Sequence, residues 1–214
     1  MHQEHHKHHI SHKKENPIKR FWHFLSEDTW QAWIVSLVII IICIKFILFP
    51  LLSLITGSSL PLVVVESCSM YHSTEFESWW NSNEGWYKDY KNISKKEFKD
   101  YHFKNGLNKG DIILTLSPKN VKKGDIVIFN PNAEAKSKYP IIHRIVSENP
   151  LETKGDNNND QLRGYNNLAN VDETNIQESQ LVSRAAVRIP YLGWAKLIFF
   201  EPMKPADQRW ACKP

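Results

Sequence analysis

Cysteine is scarce in this sequence. Its three copies, Cys43, Cys68 and Cys212, are too few for a disulfide framework. A Cys68–Cys212 bridge would crowd the segment around Cys68, which counts against it. Excess charge is equally sparse: the formal balance is +4, and the basic residues do not gather into the stripe that nucleic acid would require. No His-Glu-x-x-His pair and no Cys/His cluster occurs beyond the first residues, so no metal site is implied. No helix-like pattern follows Gly110 or Gly124, which argues against a phosphate-cradling loop. No repeat of solenoid length is present, and no cofactor is expected.

Histidine, by contrast, is abundant at the start, with His2, His5, His6, His8, His9 and His12 inside a polar stretch, 1–29. Without fixed spacing, such a tract reads as a solvated tail. The stretch Phe21 to Leu25, His23 included, has the composition of an interfacial segment. Residues 30–56 follow as an apolar run, long enough to cross a bilayer core of ~30 Å as a helix. Lys45 is its one charge, placed for its stem to snorkel to the headgroups, and Pro50 is expected to end or kink the helix. Lys7, Lys13, Lys14, Lys19 and Arg20 precede the run. Basic flanks stay cytoplasmic, which puts the remainder of the chain outside. The run is too long for a cleaved signal peptide, and no clean small-residue site follows it.

The centre of interest is Ser67-Cys68-Ser69-Met70, after the apolar run Pro61 to Val65. A short apolar run ending in hydroxyl residues reads as a strand delivering side chains to a surface. If the strand stays extended, Ser67 and Ser69 share one side and Cys68 faces the core, where a thiol is usually inert. Cys68 is the rival nucleophile. A serine alcohol needs a base, and His143 in the apolar segment Ile141 to Val146 is the best candidate. Arg144 cannot serve, because guanidinium stays protonated. A carboxylate to hold the imidazole tautomer is available in Lys154 to Asp160.

In this order the motifs resemble type I signal peptidases of the archaeal and endoplasmic-reticulum branch. The residues concerned are Ser67 to Met70, Gly110-Asp111-Ile112, Gly124-Asp125-Ile126-Val127, His143-Arg144, Lys154 to Asn158 and Pro190-Tyr191-Leu192-Gly193-Trp194. The resemblance implies Ser69 as nucleophile, His143 as base, and an oxyanion site made of the Ser69 N–H and the Ser67 hydroxyl. It places a first acidic residue at Asp156. The second falls at Asp160, closer than the family pattern has it, so which of the two orients His143 is open. Its implied substrates are preproteins carrying signal peptides. Its implied surroundings are membrane lipid and the protein translocation channel.

Residues 71–108 depart from that pattern. They hold Trp79, Trp80, Trp86, Tyr87 and Tyr90, with short helices expected at 74–82 and 94–101, the second opening on Ser94 and Glu97 in capping-box spacing. These rings suit either a bilayer interface, where the segment would help position a substrate, or a small satellite core. Strands are expected at 112–116, 126–129, 141–146 and 182–189, with Gly110 and Gly124 supplying positive φ in the turns before the first two. The apolar stretch Gly193 to Phe200 is expected to pack on the core or to touch the membrane.

The expected fold is a mostly β catalytic domain of the signal-peptidase type, residues 57–200, on one N-terminal transmembrane helix. It carries an α-helical aromatic-rich insert at 71–108 and a C-terminal tail, 201–214. The expected activity is that of a membrane-anchored serine endopeptidase, with its catalytic domain outside the cell membrane. Two other readings compete: a Ser/Lys self-cleaving protease of related fold, and a non-catalytic membrane-tethered β module binding a partner through its aromatic insert.

Overall fold

The computed structural model describes residues 16–136, 139–164 and 170–213, so the histidine tract lies outside the described residues. The chain forms two compact units, one ending at Leu51 and the other beginning at Leu52.

In the first unit, α1 (Pro17–Leu25) starts where the Asn16 side chain accepts the Ile18 N–H at 3.0 Å and where Pro17 needs no partner for a missing N–H. Ile18, Phe21, Trp22 and Leu25 fall on one helical face by their spacing. Next, α2 (Trp30–Cys43) runs through a five-residue π segment, Ile44–Leu48, into α3 (Phe49–Thr56). The whole helix, Trp30–Thr56, has 27 residues and a mean hydropathy of 3.0, long and apolar enough to cross a membrane. Pro50 does not end it. A proline removes one N–H and its ring conflicts with the carbonyl four residues back, and here the helix widens ahead of it and continues.

The second unit is built on a six-stranded antiparallel sheet in the order β1-β2-β6-β3-β4-β5. The strands are β1 (Leu62–Val64), β2 (Ile112–Leu116), β3 (Ile126–Phe129), β4 (Ile141–Glu148), β5 (Leu151–Lys154) and β6 (Leu181–Ile189). The apolar runs anticipated β2 and β3 to the residue. Polar β5 was not anticipated. Central β3 is buried on both faces: Ile126 and Ile128 enter a core with Val65, Met70, Leu107, Ile113 and Ile142, while Val127 and Phe129 pack with Ile145 and Ile176.

The turns before β2 and β3 share one construction. Asp111 accepts the Asn108 N–H at 2.8 Å, and Asp125 accepts the Lys122 N–H at 3.1 Å. Gly110 and Gly124 take φ of 89° and 94°, and a Cβ on either would strike a ring, of Trp194 and Tyr101 respectively.

The insert forms α4 (Phe76–Lys91) and α5 (Lys95–Lys99). Helix α4 is longer than expected, while Ser94 caps α5 as expected, accepting the Glu97 N–H at 3.2 Å. Phe76, Trp79, Trp80, Tyr87, Ile93 and Phe98 are buried together against Val146 of β4. This corrects the interfacial reading of Trp79 and Trp80, at 3% and 0% exposed: apolar area between the insert and the sheet is removed from water more completely by packing inward. Tyr90 remains exposed.

Two further expectations change. Strand β1 stops at Val64, and Ser67 to Met70 lie in a turn closed by the Tyr71 N–H to the Cys68 carbonyl at 3.1 Å. Cys68 and Cys212 form a disulfide, so Cys68 is neither a free thiol nor a core-facing residue. The turn is what makes room for it, since its sulfur need not share the strand with two flanking hydroxyls. The stretch after β6 folds as α6 (Trp194–Phe200), which buries Leu197 and leaves Ile198, Phe199 and Phe200 exposed.

Trp80→Ala is expected to destabilise the protein by about 3–5 kcal/mol through loss of a fully buried indole. The drop in Tm should leave binding to liposomes unchanged, and unaltered Tm with lost liposome binding would restore the interfacial reading.

Candidate functional site

Strand β4 carries His143 and Arg144 to opposite faces of the sheet, because successive side chains alternate. The two side chains therefore enter unrelated surroundings. On one face, His143 is buried, and its Nδ1–H donates a hydrogen bond to Glu173 Oε1. Glu173 is itself fully buried. It also accepts the Thr153 hydroxyl at 3.0 Å and the Leu162 N–H at 2.8 Å. Its backbone is paired as well, its N–H donating to the Leu162 carbonyl at 2.7 Å and its carbonyl accepting the Thr153 N–H at 3.0 Å. A carboxylate held this way fixes the tautomer, leaving Nε2 of His143 as the lone-pair nitrogen.

That nitrogen faces Gly155. A Cβ built on Gly155 would lie 2.8 Å from His143 Nε2, 2.8 Å from the Ser69 carbonyl oxygen and 2.7 Å from Asn158 Nδ2. Glycine is thus what allows the imidazole and the Ser69 backbone to close on the same point. The Ser67 and Ser69 hydroxyls lie 3.1 Å apart, so the pair expected on a strand is brought together by the turn instead. Asn157 clamps that turn: its N–H donates to the Ser69 carbonyl at 2.8 Å and its side chain to the Cys68 carbonyl at 3.1 Å.

On the other face, Arg144 is fully buried and spends every N–H. Nε and one Nη2 proton form a bidentate pair with Asp156 at 2.9 and 2.7 Å; the remaining protons reach the carbonyls of His102, Phe103 and Gly124. Asp156 further accepts His72 Nε2–H at 3.0 Å and the Tyr87 hydroxyl at 3.2 Å. Burial alone would raise the Asp156 carboxyl. The Arg144 charge and the bonds from His72 and Arg144 outweigh it and hold the group well below the usual carboxylate range. Burial and the neighbouring Asp156 push the Tyr87 phenol well above its ordinary value, which keeps it a donor.

Neither carboxylate expected to orient His143 therefore does so. Asp156 is committed to Arg144, on the face of β4 opposite to the imidazole. Asp160 accepts Trp86 Nε1–H at 2.9 Å and its own neighbour's Gln161 N–H at 2.8 Å, and it remains half exposed. The orienting residue is Glu173, which no motif marks. The one signal near it is the pair of apolar residues Val171 and Ile176, both buried, which flank it in an otherwise polar loop.

Lys154 completes the surroundings. Its ammonium donates to the Gly155 carbonyl at 3.0 Å and lies over the rings of Trp86 and Tyr87, at 4.9 and 5.1 Å from their centroids. Burial pushes it down to about 8, against the pull of Asp156, Glu173 and Asp160. Among the described residues no group of three or more His, Cys, Asp or Glu side chains is arranged to hold a metal ion. No protein-family model and no curated protein sequence matches the chain.

Two stability measurements follow. Asp156→Ala leaves a buried guanidinium uncompensated and is expected to cost about 3–5 kcal/mol in urea unfolding; a loss below 1 kcal/mol would show that the pair is not a keystone. For Lys154 the folded value, about 8, lies below the ordinary 10.5, so the unfolded chain binds the extra proton between them. Stability from this group is complete above 10.5 and is lost as pH falls through 8, each unit between being worth about 1.4 kcal/mol. The stability of the wild type relative to Lys154→Met should accordingly rise from pH 8 to pH 10. A flat difference would contradict the desolvated state of the ammonium.

Proposed function

We propose that the protein is a membrane-anchored serine endopeptidase of the signal peptidase I type, removing signal peptides from exported preproteins. The observation that carries this reading is the buried His143–Glu173 pair, whose free Nε2 faces the same point as the backbone of Ser69. In the proposed reaction the Ser69 hydroxyl attacks the scissile carbonyl while His143 takes its proton, and the imidazolium then protonates the leaving amine. Glu173 stabilises that imidazolium and holds the ring. The Ser67 hydroxyl and the Ser69 N–H would donate to the oxyanion, each such donor being worth ~2.7–4 kcal/mol in comparable sites.

The apolar Trp30–Thr56 helix supports a single-pass anchor, and the basic residues before it support a cytoplasmic N-terminus. The Cys68–Cys212 disulfide supports an oxidising compartment for the β domain, in keeping with a site outside the membrane. Preproteins, membrane lipid and the translocation channel are the partners this reading brings with it. A Ser/Lys self-cleaving protease is less well supported, because the Lys154 ammonium is occupied by the Gly155 carbonyl and two rings. A non-catalytic module binding through its insert is disfavoured by the burial of Trp79, Trp80 and Tyr87.

Ser69→Ala and His143→Ala should each lower preprotein cleavage by about 10⁴-fold or more while the protein stays folded. Glu173→Gln should cost of the order of 10⁴ by favouring the wrong tautomer, whereas Asp160→Asn should leave the rate nearly unchanged. Full cleavage by Ser69→Ala would end the proposal, and a severe loss in Asp160→Asn with none in Glu173→Gln would reassign the orienting carboxylate.

A further inference from the structure

Between Val65 and Met70 no side chain enters a hydrophobic core cluster, so the position of the Ser67–Ser69 turn depends on polar and covalent ties. Asn157 supplies those on one side. The other side is supplied by the end of the chain. Lys196 Nζ donates to Glu66 Oε1 at 2.8 Å, Lys204 Nζ donates to the Glu66 carbonyl at 3.2 Å, and Cys212 is bonded to Cys68. Glu66 and Cys68 are the two neighbours of Ser67, so both flanks of the candidate oxyanion donor are held by one C-terminal strap.

The strap has its own anchor. Lys109 is buried beside β2, and its ammonium donates to Glu201 Oε2 at 2.7 Å and to the Gln208 carbonyl at 2.7 Å. Glu201 also accepts the Trp210 N–H and pairs with Lys204 at 2.8 Å. Burial would raise the Glu201 carboxyl, but the bonds from Lys109 and Lys204 lower it to about 2, so it stays ionised. A buried ion pair with this many partners gives the strap one defined path across the domain.

We propose that the strap Glu201–Lys213 is a positioning element for Ser67, acting through the Cys68–Cys212 bond, and that reductive opening of this bond turns cleavage down without unfolding the domain. The inference rests on the peptidase reading. A dithiol supplies the two electrons and two protons that convert the disulfide into two thiols, and closes into its own disulfide. Freed of the bond, Glu66 keeps its ties to Lys196 and Lys204, but Cys68 loses its covalent hold and the Cys68–Ser69 side of the turn is left to the Asn157 clamp alone. The Ser67 hydroxyl then loses its fixed place relative to Ser69, and misplacement of this kind costs rate more than substrate binding.

The test uses the full chain in nanodiscs, oxidised, reduced with dithiothreitol and reoxidised, with hydrogen exchange and preprotein cleavage measured in parallel. Reduction should speed amide exchange in residues 66–71 while leaving β3, residues 126–129, protected. It should lower kcat about 10–100-fold with KM little changed, and reoxidation should restore both. Ser67→Ala should cost about 10²–10³ in the oxidised enzyme but little more once the bond is open, since the donor it removes is already displaced. Cys212→Ser should reproduce the reduced state without reagent, and if that variant does not fold, the reversible reduction of wild type carries the test. Unchanged exchange on reduction, faster exchange with full kcat, or fully multiplicative losses from reduction and Ser67→Ala would each overturn the proposal. An oxidised wild type that cleaves nothing would count against the peptidase reading alone, with exchange at 66–71 still deciding the role of the strap.

Discussion

The second unit hangs on the buried ion pair between Arg144 and Asp156. Both side chains are wholly removed from water, and their mutual attraction offsets that desolvation only because the remaining protons and lone pairs are also satisfied. The partners that satisfy them come from separate parts of the chain. Gly124 belongs to the turn before β3, His102 and Phe103 to the end of the insert, His72 to its beginning, and Tyr87 to α4. The Phe98 ring lies 4.8 Å from the guanidinium centre and closes the site. One pair therefore ties the insert to the sheet at both of its ends. The insert is an integral layer of the domain.

The neighbouring residue on β4 uses the other face. One step along the strand separates a group that organises structure, Arg144, from His143, whose second ring nitrogen faces Gly155 and the backbone of the serine turn. Pleating keeps their surroundings independent. The charges around them are also arranged in opposition: Asp156 and Glu173 are the buried carboxylates, and Arg144 and Lys154 the buried cations nearest to them. Lys154 feels both carboxylates and ends β5, at the start of the loop that brings Gly155 and Asn157 to the Ser67–Met70 turn. The junction of β5 with this loop thus both positions the serine turn and places a buried cation near the histidine.

The serine turn itself is lightly built. Met70 anchors its end in the core, while Glu66 to Ser69 contribute no core side chain and are set by Asn157 on one side and by the disulfide-tied strap on the other. Such a construction leaves Ser67 exposed and Ser69 partly exposed. Its geometry rests on contacts made by residues far away in sequence.

Much of the fold was legible in the chain. The alternating or continuous apolar runs marked β2, β3, most of β4 and β6; Gly110 and Gly124 marked the positive-φ turns; Ser94 marked the start of α5; and hydropathy marked Trp30–Thr56. These features are set by neighbouring residues, through periodicity, sterics and caps, so a local reading suffices. The serines and His143 were also picked out, by their place in local motifs. What tertiary structure alone decided was which distant groups meet. Glu173 reaches His143 across thirty residues because its segment runs along β5, and Asp156 is withheld from that role because it lies on the Arg144 face of β4. Trp79 and Trp80 turned inward because β4 offered Val146 as an apolar partner, and Cys212 reached Cys68 because Lys109 and Glu201 set the path of the strap. A polar loop carboxylate, an aromatic pair and a cysteine near the end of a chain carry no local signal of their partner, since the energy of each contact exists only once the intervening chain has folded.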